Sequence, residues 1–94
     1  MREIHHSKHL QTKLALRNIP RELVTGICRD ADERFSDRQT GYIVAVEQVQ
    51  IYGHQREVMI AYEEKGETVV IITVHPLKKG QKENRIAAGG WVRL

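Results

Sequence analysis

The first third of the chain carries apolar residues at intervals of three and four positions, which is the spacing of a helix with one buried side. Ser7 is suited to the N-cap of a first helix, and Leu10 and Leu14 would form its buried side. Pro20 disfavours helical backbone at the residue before it. The first helix is therefore predicted to end near Asn18.

A second helix is predicted to begin at Pro20, which fits the first turn because its missing N–H costs nothing there. Its apolar positions also recur at helical steps and are Leu23, Val24, Ile27, Cys28, Ala31 and Phe35. The pattern predicts a helix that continues to Phe35 and ends in the polar stretch 36–41.

The pattern then changes to β-branched and aromatic residues, which predicts strands. The strands are expected at residues 42–52, 57–62 and 69–74, with turns between them. A change of phase near Glu47 and Gln48 predicts a β-bulge. The third strand is apolar on both faces, as expected of a central strand, and His75 and Pro76 should end it.

The last segment is basic and contains several glycines, with a short helix expected at 81–88 and an apolar tip at Trp91. Residues 2–5 would suit an added edge strand. The prediction is an α+β domain in which two N-terminal helices pack on an antiparallel meander sheet of three to four strands. Residues 1–94 would form this single domain, since 94 residues are too few for two cores.

The charge is distributed unevenly along the chain. Residues 1–29 carry six Lys/Arg against two Glu and residues 75–94 carry five against one, so each end is +4, while residues 30–74 are −5. Two basic ends brought together would make a surface for a polyanion. The opposing interpretation is that lysines only keep these ends in solution. Because the core must be small, a homodimer would add stability.

The sequence predicts a cytoplasmic protein with no membrane association, since no apolar run reaches the roughly 20 residues of a membrane span. The single cysteine, Cys28, excludes an intrachain disulfide and lies among apolar positions, so a buried structural thiol is expected. His5, His6 and His9 cluster, but the predicted helix start separates His5 from His9 and no further ligand completes a zinc set. No metal and no cofactor is predicted.

Three polar residues, His9, Lys13 and Arg17, lie four positions apart on the first predicted helix. Residues at this spacing lie along one face of a helix. An imidazole, an ammonium and a guanidinium are groups that chemistry on a phosphodiester uses. The alternative is that His9 packs at the start of the helix while Lys13 and Arg17 face water.

Four segments of the chain resemble the RelE-like superfamily of small ribonuclease toxins, in the branch near BrnT and in a group of small uncharacterised domains within it. The segments are His9, the junction Arg17-Asn18-Ile19-Pro20, the strand at 70–76 and the ending at 84–91. The resemblance implies an N-terminal strand, two helices and a three-stranded meander.

The resemblance also implies a function. Active members cleave RNA without a metal, through attack of the ribose 2′-hydroxyl on the adjacent phosphorus. The chain is therefore expected to be a metal-independent endoribonuclease of a toxin–antitoxin pair, with RNA or the ribosome as target and an antitoxin as partner. The alternative is a non-catalytic RNA- or protein-binding module.

Candidate residues follow from the roles in that reaction. His9 is the first candidate for base or acid, with Lys13 and Arg17 binding phosphate; His75, at the end of the central strand, is the second. Further phosphate contacts are expected from Lys78, Lys79, Arg85 and Arg93. The predicted strands depart from the toxins because they carry acidic residues, which repel RNA: Glu47, Glu57, Glu63 and Glu64.

Overall fold

The computed structural model describes residues 2–94, so Met1 lies outside the described part. The elements are β1 (Glu3–His6), α1 (Lys8–Arg17), α2 (Arg21–Asp30), β2 (Glu33–Asp37), β3 (Ile43–Ile51), β4 (His54–Lys65), β5 (Thr68–Pro76), α3 (Gln81–Ala87) and β6 (Trp91–Arg93). No helix among residues 2–94 is long and apolar enough to cross a membrane.

The sheet has six strands in the order β1-β5-β4-β3-β2-β6. Strand β1 runs parallel to β5, and the other pairs are antiparallel. The domain is thus an α+β domain with three helices and a mixed sheet. The predicted architecture, two N-terminal helices on an antiparallel meander of three to four strands, is wrong. It omitted the two strands that extend the sheet at β2 and β6.

The first helix begins as predicted. Ser7 is its N-cap and accepts a hydrogen bond from the backbone N–H of Leu10 at 3.1 Å, while Asn18 closes the C-terminus in the left-handed conformation. Leu10 and Leu14 are buried. These features depend on neighbours within a few residues, which is why the sequence pattern located them.

The second helix ends at Asp30, so the prediction that it continues to Phe35 is wrong. Ala31 has extended backbone (φ −60°, ψ 133°), and β2 begins two residues later. Strand β2 pairs with both β3 and β6, which satisfies its backbone groups on both edges. Phe35 is fully buried in this strand, and its helical spacing from Ala31 is coincidental.

The sheet is covered on both faces, which creates two cores. Helices α1 and α2 cover one face, called the helical face, where Leu10 and Val24 pack with Ile60. On the opposite face Phe35 and Trp91 pack in a second cluster, with Ile86 of α3 against it. This opposite face carries the cleft described below.

The two cores also explain the phase change that suggested a bulge near Glu47 and Gln48. That prediction is wrong, because the register of β3 and β4 is continuous there. Residues 44–46 are buried on both faces of the sheet, whereas Gln48 is exposed. The irregularity lies instead between β4 and β5, where Ala61 pairs with Thr73 but Tyr62 pairs with Ile71.

Candidate functional site

The main cleft lies on the sheet face opposite α1 and α2 and has a volume of about 500 Å³. Met59 and Ala61 of β4 contribute apolar surface, and both belong to the second core. The polar, charged and aromatic side chains that line it are Asp37, Thr40, Tyr42, Thr73, His75, Lys78, Gln81, Arg85 and Trp91. A concave, partly apolar site with a few polar groups is the usual form of a ligand site.

Helix α1 contributes one cation to this region from across the sheet edge. Strand β1 pairs with β5 only as far as Ile71, and α1 starts directly afterwards, with the Ser7 N–H bonded to the Ile71 carbonyl at 3.0 Å. The remainder of β5 therefore has a free edge. Lys13 reaches this edge, and its Nζ donates to Thr73 Oγ1 at 3.3 Å.

Lys13 also contacts His75 closely. Its Nζ lies 3.0 Å from Nδ1 and 3.2 Å from Nε2 of the imidazole, and Thr73 Oγ1 lies 3.4 Å from Nε2. Thr73 and His75 alternate with the buried Val74, so both side chains emerge on the cleft side of the sheet. The structure thus joins a residue of the predicted helical stripe to the predicted strand-end histidine.

The surroundings of His75 favour the neutral form of its imidazole. Partial burial lowers the pKa of His75 below its usual 6.5, and the charges of Lys13, Arg17 and Arg85 and the nearby His9 lower it further. The pKa of Lys13 is also lowered, first by burial and then by the charge of Arg17. At neutral pH the site therefore holds a neutral imidazole among cations, a group that can accept a proton.

Replacing Lys13 by methionine is expected to raise the pKa of His75, because the variant removes a positive charge that opposes protonation of the ring. An NMR titration of the His75 ring protons measures this midpoint, which should lie below 6.5 in the wild type. Lys79→Met is the matched control and should leave the midpoint unchanged. A wild-type midpoint at or above 6.5, or no shift in Lys13→Met, would contradict this electrostatic account.

The other two members of the predicted stripe, His9 and Arg17, do not line the main cleft. His9 and Arg17 are exposed and, with Thr12, Lys13 and Leu16, line a separate groove of about 320 Å³ on α1. The charges of His9 and Arg17 help to lower the pKa of His75, but neither side chain makes a hydrogen bond to it. Of the stripe, Lys13 is the member that contacts His75.

Of the four predicted phosphate-binding residues of the C-terminal segment, two line the main cleft and two do not. Lys78 and Arg85 line the main cleft, and the Arg85 guanidinium carbon lies 5.6 Å above the centre of the Trp91 ring. Lys79 lines a different groove beside Arg56. Arg93 lies outside the cleft, where it donates to Glu33 Oε2 at 3.3 Å.

The acidic residues of the strands are largely compensated by cations. Lys82 of α3, which sequence analysis did not single out, lies 3.0 Å from Glu33 Oε1 and 2.8 Å from Glu57 Oε2. Hydrogen bonding to Glu57 is the largest influence raising the pKa of Lys82, and the bond from Lys82 lowers the pKa of Glu33. Glu63 pairs with Lys65 and Glu64 pairs with Arg2. The repulsion of RNA expected from acidic strands is therefore reduced.

The histidines near the N-terminus do not form a cluster. His5 is exposed and bonds Glu3 at 2.6 Å, whereas His6 is half-buried with Nε2 3.0 Å from Thr25 Oγ1. Across residues 2–94, no group of three or more His, Cys, Asp or Glu is arranged to hold a metal ion. Cys28 is 7% exposed, and burial raises the pKa of its thiol, as expected of a structural cysteine.

The sequence did not identify six of the polar, charged and aromatic residues that line the cleft: Asp37, Thr40, Tyr42, Thr73, Gln81 and Trp91. Thr73 could have been identified from the sequence, because it lies two positions before His75 and therefore shares its face of the strand. No sequence signal identified Asp37, because the spacing of Phe35 predicted a helix there and placed Asp37 in a loop instead of in β2.

Comparison with protein-family models, with curated proteins and with solved structures finds no match to this chain.

Proposed function

We propose that the chain is a metal-independent endoribonuclease that binds RNA in the main cleft and uses His75 as its general base. One observation carries the proposal: His75 is held at 3.0 Å from Lys13, beside the cleft, with its pKa lowered by burial and by Lys13, Arg17 and Arg85. A base for RNA transesterification must be unprotonated near neutral pH and close to cations that stabilise the phosphate.

The side chains at this position can supply both the proton acceptor and the proton donor that the reaction needs. His75 accepts the proton of a ribose 2′-hydroxyl as its oxygen attacks the adjacent phosphorus, and the bond from phosphorus to the 5′-oxygen breaks. Lys13 is the candidate proton donor to that leaving oxygen, because its lowered pKa makes the ammonium a stronger acid. The products are a 2′,3′-cyclic phosphate and a 5′-hydroxyl.

Arg85 is suited to the phosphate because a guanidinium matches two phosphate oxygens at once. It lines the main cleft together with Lys78 and lies close enough to His75 to lower its pKa. Cations from the N-terminal and C-terminal basic segments therefore surround one imidazole. Tyr42, which is half-buried, adds aromatic surface to the same cleft, and cations combined with aromatic surface are typical of single-stranded RNA sites.

The resemblance to small ribonuclease toxins supports the same reaction, with one change in the assignment of roles. His9 was the first candidate for base or acid, but it lines the separate groove on α1 and does not line the main cleft. We therefore assign the base to His75 and leave His9 outside the reacting groups. Pairing with an antitoxin protein remains part of the proposal, and growth arrest on induced expression would support it.

The test is cleavage of a labelled single-stranded oligoribonucleotide by the purified chain in the presence of excess EDTA. The proposal expects cleavage with a 2′,3′-cyclic phosphate end, and none of a matched 2′-O-methyl oligonucleotide, which lacks the attacking hydroxyl. Salt-dependent binding without cleavage would overturn the enzymatic proposal in favour of a binding module. Cleavage of the 2′-O-methyl strand would overturn the mechanism.

A further inference from the structure

Asp37 and Trp91 lie side by side in the main cleft. They are register partners across the antiparallel pair of β2 and β6, and both side chains line the cleft. Side chains at such positions lie on the same face with Cβ atoms about 5 Å apart. A carboxylate and an indole side chain are thus neighbours in the cleft, three and four strands from β5, which carries His75.

Trp91 supplies a donor without an acceptor. Its side chain is 3% exposed, and its Nε1 has no hydrogen-bond partner among residues 2–94. The ring is held by Phe35, whose centroid lies 5.6 Å away, and by the Arg85 guanidinium. A buried N–H without a partner is unfavourable, and a ligand carbonyl that reaches this buried atom would satisfy it.

Asp37 supplies acceptor capacity that the fold does not use. Its Oδ1 accepts from the backbone N–H groups of Gln39 at 2.9 Å and Thr40 at 3.4 Å. Within the described chain, Oδ2 makes no hydrogen bond, and the carboxylate has no ion-pair partner. A carboxylate repels phosphate, so the position beside Asp37 suits a base and leaves the phosphate to Arg85.

We propose that this part of the cleft binds a guanine base of the RNA, an inference that rests on the proposed function in so far as the ligand is RNA. Asp37 would accept from N1–H and the 2-amino group, and Trp91 would donate to the O6 carbonyl. Tyr42, which is half-buried in the same cleft, offers aromatic surface to the base.

Guanine is the base whose hydrogen-bonding groups fit this site best. Guanine presents two adjacent N–H donors beside a carbonyl on its Watson–Crick edge, which matches a carboxylate next to an indole N–H. Uracil has its one N–H between two carbonyls, which a carboxylate repels. Adenine and cytosine have an amino group but no second N–H beside it. A two-bond match to the correct base gives discrimination of about ten-fold or more.

The test is an NMR titration of the free nucleotides 5′-GMP, 5′-IMP, 5′-AMP, 5′-CMP and 5′-UMP into the full chain. The chain has a single tryptophan, so the indole N–H gives one signal. We expect 5′-GMP to shift this signal and to bind about ten-fold more tightly than 5′-UMP. The 5′-IMP complex should be weaker than that of 5′-GMP, because inosine lacks the 2-amino group.

Asp37→Asn should abolish the preference for 5′-GMP, because an amide that keeps its oxygen on the backbone N–H groups of Gln39 and Thr40 places a donor where the free Oδ2 was. Asp32→Asn, at an exposed position outside the cleft, is the matched control. Equal affinities for all five nucleotides, or an unchanged preference in Asp37→Asn, would overturn the inference. Should Asp37→Asn not fold, the comparison of 5′-GMP with 5′-IMP on the wild type still decides.

The two proposals fail separately. Cleavage of RNA at all four nucleotides with equal rates would overturn the guanine site and leave the ribonuclease in place. Selective binding of 5′-GMP without any RNA cleavage would overturn the ribonuclease and leave a guanine nucleotide site.

Discussion

Replacing His75 by alanine is expected to lower the rate of RNA cleavage by a factor of about 100 or more, since a positioned general base contributes on the order of 10²–10⁴. The loss follows from the geometry, because His75 is the imidazole that lines the main cleft and contacts Lys13. The measurement is the single-turnover rate on an oligoribonucleotide in EDTA, with circular dichroism to verify folding.

The pH dependence of this rate provides a second measure. Because partial burial and nearby cations lower the pKa of His75, its base form persists below pH 6.5, and activity should fall only as the pH drops through the lowered pKa. Lys13→Met should move this acidic limb to higher pH, although its overall rate would also fall.

His54 offers a matched control for the alanine substitution. It is an exposed histidine at the start of β4 and does not line the main cleft, so His54→Ala should cleave RNA at the wild-type rate. An undiminished rate in His75→Ala would refute the assignment of the base. A large loss in His9→Ala alone would instead restore His9 as the reacting group.

Phe35→Ala is expected to destabilise the domain by about 3–5 kcal/mol, the range for removing a large buried aromatic side chain. Phe35 is fully buried in the second core, its ring packs against Trp91, and the Arg93 guanidinium lies 4.9 Å above it. Since a domain of this size is stable by about 5–15 kcal/mol, the loss would be a large part of the total.

Urea denaturation with tryptophan fluorescence measures this change, because the single tryptophan lies against the substituted ring. Leu16→Ala is the control: its side chain is 80% exposed, so the expected change is within about 0.5 kcal/mol. A loss below about 1 kcal/mol in Phe35→Ala would mean that β2 and β6 are not packed as described.

Local features of the chain were predictable from neighbouring residues. The Ser7 cap, the buried Leu10 and the helix end at Asn18 depend on contacts within one or two turns, and they agree with the structure. The helical spacing of Phe35 was misleading, since Ala31, four residues before it, packs in the core on the helical face, while Phe35 packs in the core on the opposite face of the sheet. The choice of strand depended on pairing with β3 and β6, which local periodicity does not contain.

The candidate site divides in the same way. Residue types and spacing identified Lys13, His75 and Arg85 as chemically capable groups, because charge and ionisation belong to each side chain alone. Their meeting depends on the sheet: Lys13 and His75 lie 62 positions apart and touch only because β1 stops at His6 and leaves the edge of β5 open to α1. Contacts between such distant segments arise from strand order and register, which no short stretch of sequence encodes.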